Sequence, residues 1–362
     1  MMDVNQLDLD YLPKLPQNKM MGIGIIGAGE IVREAHLPAY KLAGFHVVAL
    51  SDLIKERAKT LAQQFEISNV YANAEQVIND PEVKIVDIAI PAQFQPEMVE
   101  MAAKAGKHVL CQKPLGDTLA SARKIVKLCK TYKIKGAVNQ QMRWAPGIKA
   151  SKTIIDRGWL GDLTQATIQV NVHTPFEGWS FLKEIDTLEV MYHSIHYMDA
   201  IRYLFGTPEF IYADGMTYPG QKVKGETRTM INMEYPGFKR GLIHDNHNNW
   251  ATEDDWYATF RFEGTEGIIK GTNGALYNYP MGREDTLRFL SKKVDPNDWF
   301  SPILEGKWFP HAFMGTMGEL MCAIEEDREP ENSAEDNLKT LQMVFATYLS
   351  MKEKRRVEVA AL

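Results

Sequence analysis

Several groups of residues in this 362-residue chain have types and spacings suited to chemistry. Gly27-Ala28-Gly29 sits between a short apolar run, 21–26, and a segment with helical spacing that opens at Glu30-Ile31. Glycine there lets the backbone turn tightly and approach a pyrophosphate. The helix that follows offers N–H groups and the positive end of its dipole to that anion. Asp52 ends the next apolar run, where a carboxylate hydrogen-bonds the hydroxyls of an adenosine ribose and repels a 2′-phosphate. This pattern predicts a dinucleotide held by Gly27, Ala28, Gly29, Glu30, Ile31 and Asp52, with NAD favoured and NADP as the alternative. Lys55 and Arg57 soften that preference, and Arg57 counts among the expected cofactor contacts. A lone G-x-G is weak, and Val32 stands where a third glycine is usual. The placement after a strand, before a helix and ahead of Asp52 gives the loop its weight.

Lys113 follows a second apolar run, 108–112, at the strand end where a doubly wound sheet places its ligands. A lone lysine is most often a solvated charge, but Lys-Pro after a buried strand reverses that expectation. His196 has a side chain that titrates near neutrality. Oxidising an alcohol or hemiacetal needs a base for the hydroxyl proton, and an ammonium nearby steadies the developing alkoxide. His193 and His196 are three apart on a predicted helix, and His244 and His247 repeat the interval around Asp245. That spacing also suits metal ligation, yet no HExxH is present and no metal is expected.

These residues need a scaffold. Strand-like runs at 21–26, 45–50, 84–90, 108–112 and 134–138 alternate with helical stretches at 31–43, 55–65, 98–105 and 121–130. Pro38 implies a break or a helix restart with proline in its first turn. Such alternation makes βαβ units and a parallel sheet. After about residue 145 the order changes. Helices are predicted at 148–157 and 188–205, then strands at 164–172, 210–215, 227–235, 241–244, 256–262 and 267–270, then closing helices at 314–326 and 334–352. The expected fold is therefore α/β, an N-terminal doubly wound parallel sheet followed by an α+β domain with a large, mainly antiparallel open sheet. The expected organisation is an extension over 1–19 laid on the surface, a dinucleotide-binding domain over 20–141, and a substrate-binding and oligomerisation domain over 142–362.

Composition narrows the class. Hydrophobic residues make up 45% and charged residues 24%, which supports a sizeable core. The net charge of −6 supplies no electrostatic footprint for a phosphate backbone, so nucleic acid is not an expected partner. No apolar run reaches the roughly 18 residues of a membrane span, and the N-terminus lacks the basic and apolar regions of a secretory signal. A cytoplasmic location without membrane association is expected. Cys111, Cys129 and Cys322 are widely spaced and odd in number, which argues against a disulfide framework or a thiolate zinc site.

The segment AGKHVLCQKPL (105–115) strongly resembles the AGKHVxxEKP motif of the Gfo/Idh/MocA oxidoreductases, the family of glucose–fructose oxidoreductase and inositol dehydrogenase. The likeness extends through GAGEIVREAHLPA (27–39), VDIAIPA (86–92), the GxLGDL pattern around 158–163, His196 with Asp199, GTEG (264–267) and SAEDNLKTL (333–341). It implies a Rossmann domain followed by an open-sheet domain, with substrate bound between them, and oxidation of a pyranose or cyclitol by a nicotinamide. It also implies cofactor contacts at Pro91, Gln95, Gln112 and Lys113, and a Lys-Pro peptide that is often cis. Lys113 then contacts substrate and nicotinamide, and His196 acts as acid/base. Arg143 and Trp144 match an arginine-aromatic segment of the family; substrate contact and interior packing both remain open for them. Trp179, Phe181, His311 and Phe313 are suited to stacking on a sugar face, although core packing is the commoner role.

Three positions depart from the family pattern. Gln112 replaces the glutamate of EKP, Gln95 replaces a frequent histidine, and Tyr192 stands where the family has the aspartate of DxxxH. His196 must then be oriented otherwise, with His193 or Glu189 helping or Tyr192 sharing the acid/base duty. On this reading Lys113, His196 and Tyr192 are catalytic, and Lys113, Arg143, Trp144, His193 and His196 bind substrate. The expected activity is NAD-dependent oxidation of an aldose or cyclitol, for example at an aldose C1 to give a lactone, with D-apiose, D-xylose and D-glucose all open. The alternatives are an NAD-dependent glycoside hydrolase of the same architecture and a non-catalytic dinucleotide sensor. The resemblance further implies a homodimer or homotetramer.

Overall fold

A computed structural model describes residues 7–277, 279 and 282–362. The chain forms two compact units. One comprises Pro13–Trp144 with Phe309–Lys339; the other comprises Met1–Leu12, Ala145–Trp308 and Thr340–Leu362.

The first unit carries a six-stranded sheet of β1 (Gly22–Ile26), β2 (Val47–Ser51), β3 (Asn69–Tyr71), β4 (Val83–Ile88), β5 (His108–Gln112) and β6 (Gly136–Asn139). The spatial order is β3-β2-β1-β4-β5-β6, and each neighbouring pair is parallel. β1, with the sequence GIGII, is buried along its whole length, as a strand covered on both faces must be. The order reverses between β1 and β4, the switch point where this architecture opens its ligand crevice. The glycine loop lies at the end of β1.

The helices between these strands follow the sequence spacing. Residues 32–36 form a π-helical turn, and α1 (Leu37–Ala43) restarts with Pro38 near its N-terminus and Gly44 in the left-handed region at its end. α2 (Lys55–Phe65) covers the apolar stripe seen in sequence, with Ala58, Leu61 and Ala62 buried. A short α3 (Ala74–Asn79), α4 (Gln95–Lys104) and α5 (Leu119–Tyr132) complete the set. Asn73 and Thr118 cap α3 and α5 by accepting from the N–H three residues on.

Chain order alone could not show that residues 309–339 belong to this unit. The later helix α8 (Ala312–Glu325) buries Phe313, Met317, Leu320 and Met321 in the same core as Ile23, Ile25, Tyr40 and Ala137. Its apolar face is the physical reason for the return.

The second unit opens with α6 (Pro146–Asp156) and includes α7 (Ile195–Phe205), which follows a second π-helical turn, Val190–Ser194. Its sheet has nine strands: β7 (Leu163–Asn171), β8 (Phe210–Met216), β9 (Arg228–Glu234), β10 (Arg240–Asn246), β11 (Tyr257–Gly264), β12 (Gly267–Thr272), β13 (Thr286–Ser291), β14 (Asp295–Phe300) and β15 (Val357–Glu358). The order is β14-β13-β12-β11-β7-β10-β9-β8-β15, antiparallel except for the β7–β10 pair. Strands β3, β13, β14 and β15 and the short α3 lie beyond the sequence prediction; in β14 the sequence DPNDWF reads as a turn. The closing helices are α8 (Ala312–Glu325) and α9 (Ala334–Glu353); α9 is divided between the units at 339/340.

The described part of the N-terminal extension, 7–19, runs along the protein and is fastened to it. Residues 1–6 lie outside the described residues. Leu9 is buried, the Asp8 carbonyl accepts from Arg157, and the Tyr11 hydroxyl accepts from the Glu305 N–H. Further on, the N–H groups of Gln17 and Asn18 donate to Glu325. An apolar anchor and satisfied backbone groups hold the segment to the protein.

Candidate active site

The glycine loop is shaped by contacts that a side chain would break. Gly27 has φ +105°, and a Cβ there would lie 2.3 Å from the Ala89 carbonyl oxygen. Its N–H donates to the Ser51 carbonyl at 2.8 Å, tying the loop to the end of β2. Gly29 is the opposite case: a Cβ there would meet nothing within 4 Å. The cradle is therefore open where a pyrophosphate would approach, with the helix from Glu30 aimed at it. Asp52 accepts from the Ala28 N–H through one oxygen and the Ile54 N–H through the other, each at 2.7 Å. It thus fixes the loop as well as presenting a carboxylate at the end of β2. These residues fit a dinucleotide. Arg57 is exposed on α2.

A buried polar chain supports this end of the sheet. His36 Nδ1 lies 2.7 Å from Asp87 Oδ2, which also accepts from the Tyr40 hydroxyl at 2.8 Å. Asn139 bridges His36 Nε2 and the Thr316 hydroxyl, so strands β4 and β6, the π turn and α8 share one network. Nothing in the spacing of these residues announces the network; it forms because distant segments converge.

Lys113 stands just past β5, and the peptide to Pro114 is cis. Its N–H donates to Gln112 Oε1 at 2.9 Å. Gln95 is fully buried: its amide nitrogen donates to the Gln112 carbonyl at 2.6 Å, and its oxygen accepts from the Gly116 N–H at 3.0 Å. Both ends of that amide clamp the loop, which makes Gln95 a positioning residue for Lys113. Pro91 is exposed at the start of the short 3-10 turn that leads to Gln95. The Lys113 side chain is half-buried, and the low-dielectric protein around its ammonium lowers the pKa to about 7.

Arg143 and Trp144 are interior residues. Arg143 is 2% exposed; its guanidinium donates to the Glu331 carbonyl at 2.9 Å and to Asp336 at 2.7 Å. Trp144 lies so close to Gly315 that a Cβ there would meet its ring at 2.1 Å. Of the two roles left open by the sequence, this geometry is that of packing and of fastening 309–339 to the unit.

In the second unit, His196 lies at the start of α7, 6% exposed, with its ring edge-on to Trp308 at 5.5 Å. Asp199, three residues on, is buried and accepts from Thr340 at 2.7 Å. Tyr192 sits in the π turn and packs against Phe181 at 5.9 Å beside the apolar cluster of Phe176, Leu182, Leu188 and Val223. Trp179 packs on Phe176 and Tyr279, while Phe313 is enclosed beside His36 and Phe309 in the first unit.

The π turn has a neighbour that spacing only hinted at. His193 packs edge-on to His247 at 4.5 Å and to Phe176 at 5.1 Å. His247, Asp245 and Glu189 are all fully buried. Glu189 accepts from the Ser194 N–H, the Ser194 hydroxyl and the Thr229 hydroxyl, so it braces the π turn rather than His196. Burial, then the Asp245 charge, raises the Glu189 pKa. Burial pulls the His247 imidazolium down, but Asp245 and Glu189 outweigh it and raise its pKa to about 9. Asp245 was within reach of the sequence pattern: Gly241 and Ile243 face the core, and period two carries the next inward position to 245.

Comparisons with known proteins bear on this geometry. A family described as "Oxidoreductase family, NAD-binding Rossmann fold" matches residues 21–140, and the GFO/IDH/MocA C-terminal domain matches 148–270. The chain is 28% identical over 341 residues to D-apiose dehydrogenase of Paraburkholderia graminis, covering 93% of this chain and 89% of that one. It is 24% identical over 329 residues to levoglucosan dehydrogenase of Pseudarthrobacter phenanthrenivorans, covering 80% and 82% respectively. Among solved structures, an oxidoreductase from Agrobacterium radiobacter in complex with NAD+, L-tartaric acid and magnesium superposes with a TM-score of 0.83 at 24% identity, covering 94% and 99%.

Proposed function

This chain belongs to the GFO/IDH/MocA family of NAD-binding oxidoreductases, and from that premise we propose that it is a sugar dehydrogenase acting on an aldose or cyclitol. NAD, when bound, supplies the acceptor for the hydride leaving a substrate carbon that bears a hydroxyl, as at an aldose C1 on the way to a lactone. The observation that carries the reading is Lys113: a half-buried lysine at the end of a parallel strand, its loop clamped by Gln95, with its pKa lowered to about 7. At that value the residue exchanges a proton near neutral pH and its ammonium form steadies a developing alkoxide. His196, enclosed beside Trp308, takes the hydroxyl proton. Tyr192 and His193, in the π turn just before it, are the further candidates for the proton route and for substrate contact. The glycine loop with Asp52 holds the dinucleotide, and the carboxylate favours NAD over NADP.

The names of the relatives, D-apiose dehydrogenase and levoglucosan dehydrogenase, support a carbohydrate substrate. D-apiose, D-xylose and D-glucose are the free sugars to test. The second unit supplies His193 and His196 and, through the open face of its sheet, the contact with a second copy. Tyr212, Met216 and Met230 stand exposed there, which supports a homodimer or homotetramer.

The test is the initial rate of NAD reduction over a panel of free aldoses, cyclitols and methyl glycosides. NADH formed with one free aldose and abolished by methylating its anomeric oxygen is the expected result. Sugar released from a glycoside without net NADH would replace the dehydrogenase with a hydrolase. NAD binding with no turnover on any member would favour a sensor.

A further inference from the structure

We propose that Glu189, Asp245 and His247 form a site for one divalent first-row transition-metal ion of the zinc class, set into the core of the second unit. Their ligand atoms all lie within 4.8 Å of one another. His247 Nε2 is 3.0 Å from Asp245 Oδ1 and 3.8 Å from Glu189 Oε1. Tetrahedral ligands at zinc-like bond lengths stand roughly 3.3–3.6 Å apart, a value these two distances bracket.

The polar atoms facing this point are unsatisfied. Both Asp245 oxygens and His247 Nε2 have no hydrogen-bond partner, and both residues are 0% exposed. The 3.0 Å approach is misaligned for a hydrogen bond, as it would be if both groups were aimed at a third point rather than at each other. Orphaned buried carboxylate and imidazole atoms carry a penalty that a core does not keep without a compensating partner.

The surroundings match the outer shell of a metal centre. His247 Nδ1 lies 2.7 Å from the Thr174 hydroxyl; with that oxygen accepting, the Nε2 lone pair is left facing the two carboxylates. Glu189 accepts three hydrogen bonds, from the Ser194 N–H, the Ser194 hydroxyl and the Thr229 hydroxyl, which fix the orientation of its carboxyl group. As metal ligands the imidazole is neutral and both carboxyl groups ionised, so the trio then carries two negative charges. A divalent ion cancels that charge exactly where it is most costly. One nitrogen and carboxylate oxygens form a borderline donor set, suited to zinc or manganese rather than to calcium or copper(I). The elements joined are also informative. Glu189 leads into the π turn that carries His193 and leads on to His196, while Asp245 and His247 close β10. The ion would lock that turn onto the sheet.

The experiment uses the full chain purified without chelator from cells grown with added zinc. Elemental analysis should give about one zinc per chain, and Asp245→Asn and His247→Gln should each lose it. Zinc-edge X-ray absorption of the wild-type protein should show one imidazole and oxygen ligands with no sulfur. Should either variant fail to fold, that spectrum decides the matter. Folded wild-type protein with less than about a tenth of an ion per chain overturns the proposal. So does zinc fully retained in both variants, or a first shell without imidazole. None of these readouts depends on turnover, so the site stands or falls apart from the sugar dehydrogenase reading.

Discussion

Replacing Lys113 with methionine keeps most of its volume and removes its proton. The folded protein releases that proton near pH 7, against an ordinary lysine value of 10.5. At 1.36 kcal/mol per pH unit, the gap corresponds to about 5 kcal/mol of disfavour for the buried ammonium. The side chain is half-buried, so about 5 kcal/mol is the ceiling on that disfavour. Between about pH 7 and pH 10.4 the unfolded chain binds the proton and the folded chain does not, so this residue makes stability rise with pH across that window. Below the window both states hold the proton and the penalty is full; above it neither does and the penalty vanishes. Lys113→Met should therefore gain stability over wild type at about pH 6 and lose most of that advantage by about pH 10, a swing of about 4 kcal/mol. Urea unfolding of both proteins at the two pH values measures the swing directly. A packing change from methionine adds a constant that does not depend on pH and cancels in the comparison. A swing below about 0.5 kcal/mol would refute the reasoning, because the ammonium would then be as well solvated in the folded protein as outside it.

Other perturbations follow from the same contacts. Arg143→Met removes the partner of Asp336 and of the Glu331 carbonyl, so stability should fall by about 2–4 kcal/mol in urea while KM for the sugar stays put. A raised KM at unchanged stability would return Arg143 to the substrate. Gly29→Ala places a methyl in open space, so unfolding should be unchanged while NAD titration weakens about tenfold; unaltered affinity would put the pyrophosphate elsewhere. Gly27→Ala drives a Cβ onto the Ala89 carbonyl at a φ that side chains avoid, and it should lower thermal stability as well as NAD affinity. His196→Asn should cut kcat by about two to four orders of magnitude with NAD binding intact, and equal kcat would remove it from the proton route.

The sequence by itself determined what depends on local pattern. The βαβ alternation, the run of antiparallel strands, the glycine loop with Asp52 and the placement of Lys113 at a strand end are all consequences of periodicity and of glycine, proline and charge at fixed offsets. The irregularity at Pro38 was legible too: a π turn precedes it and α1 carries it in its first turn, where a missing N–H costs least. Tertiary structure decided what depends on convergence. Arg143 carries no sign in sequence of the Glu331 and Asp336 groups that take up its donors, nearly two hundred residues away. The return of 309–339 to the first unit depends on where the apolar face of α8 finds a matching core. The interval from His244 to His247 around Asp245 was visible along the chain, but nothing in the sequence joined those residues to Glu189. Glu189, Asp245 and His247 become a cluster because β10 and the segment before α7 pack together, and burial turns three ordinary side chains into groups that cannot be left uncompensated.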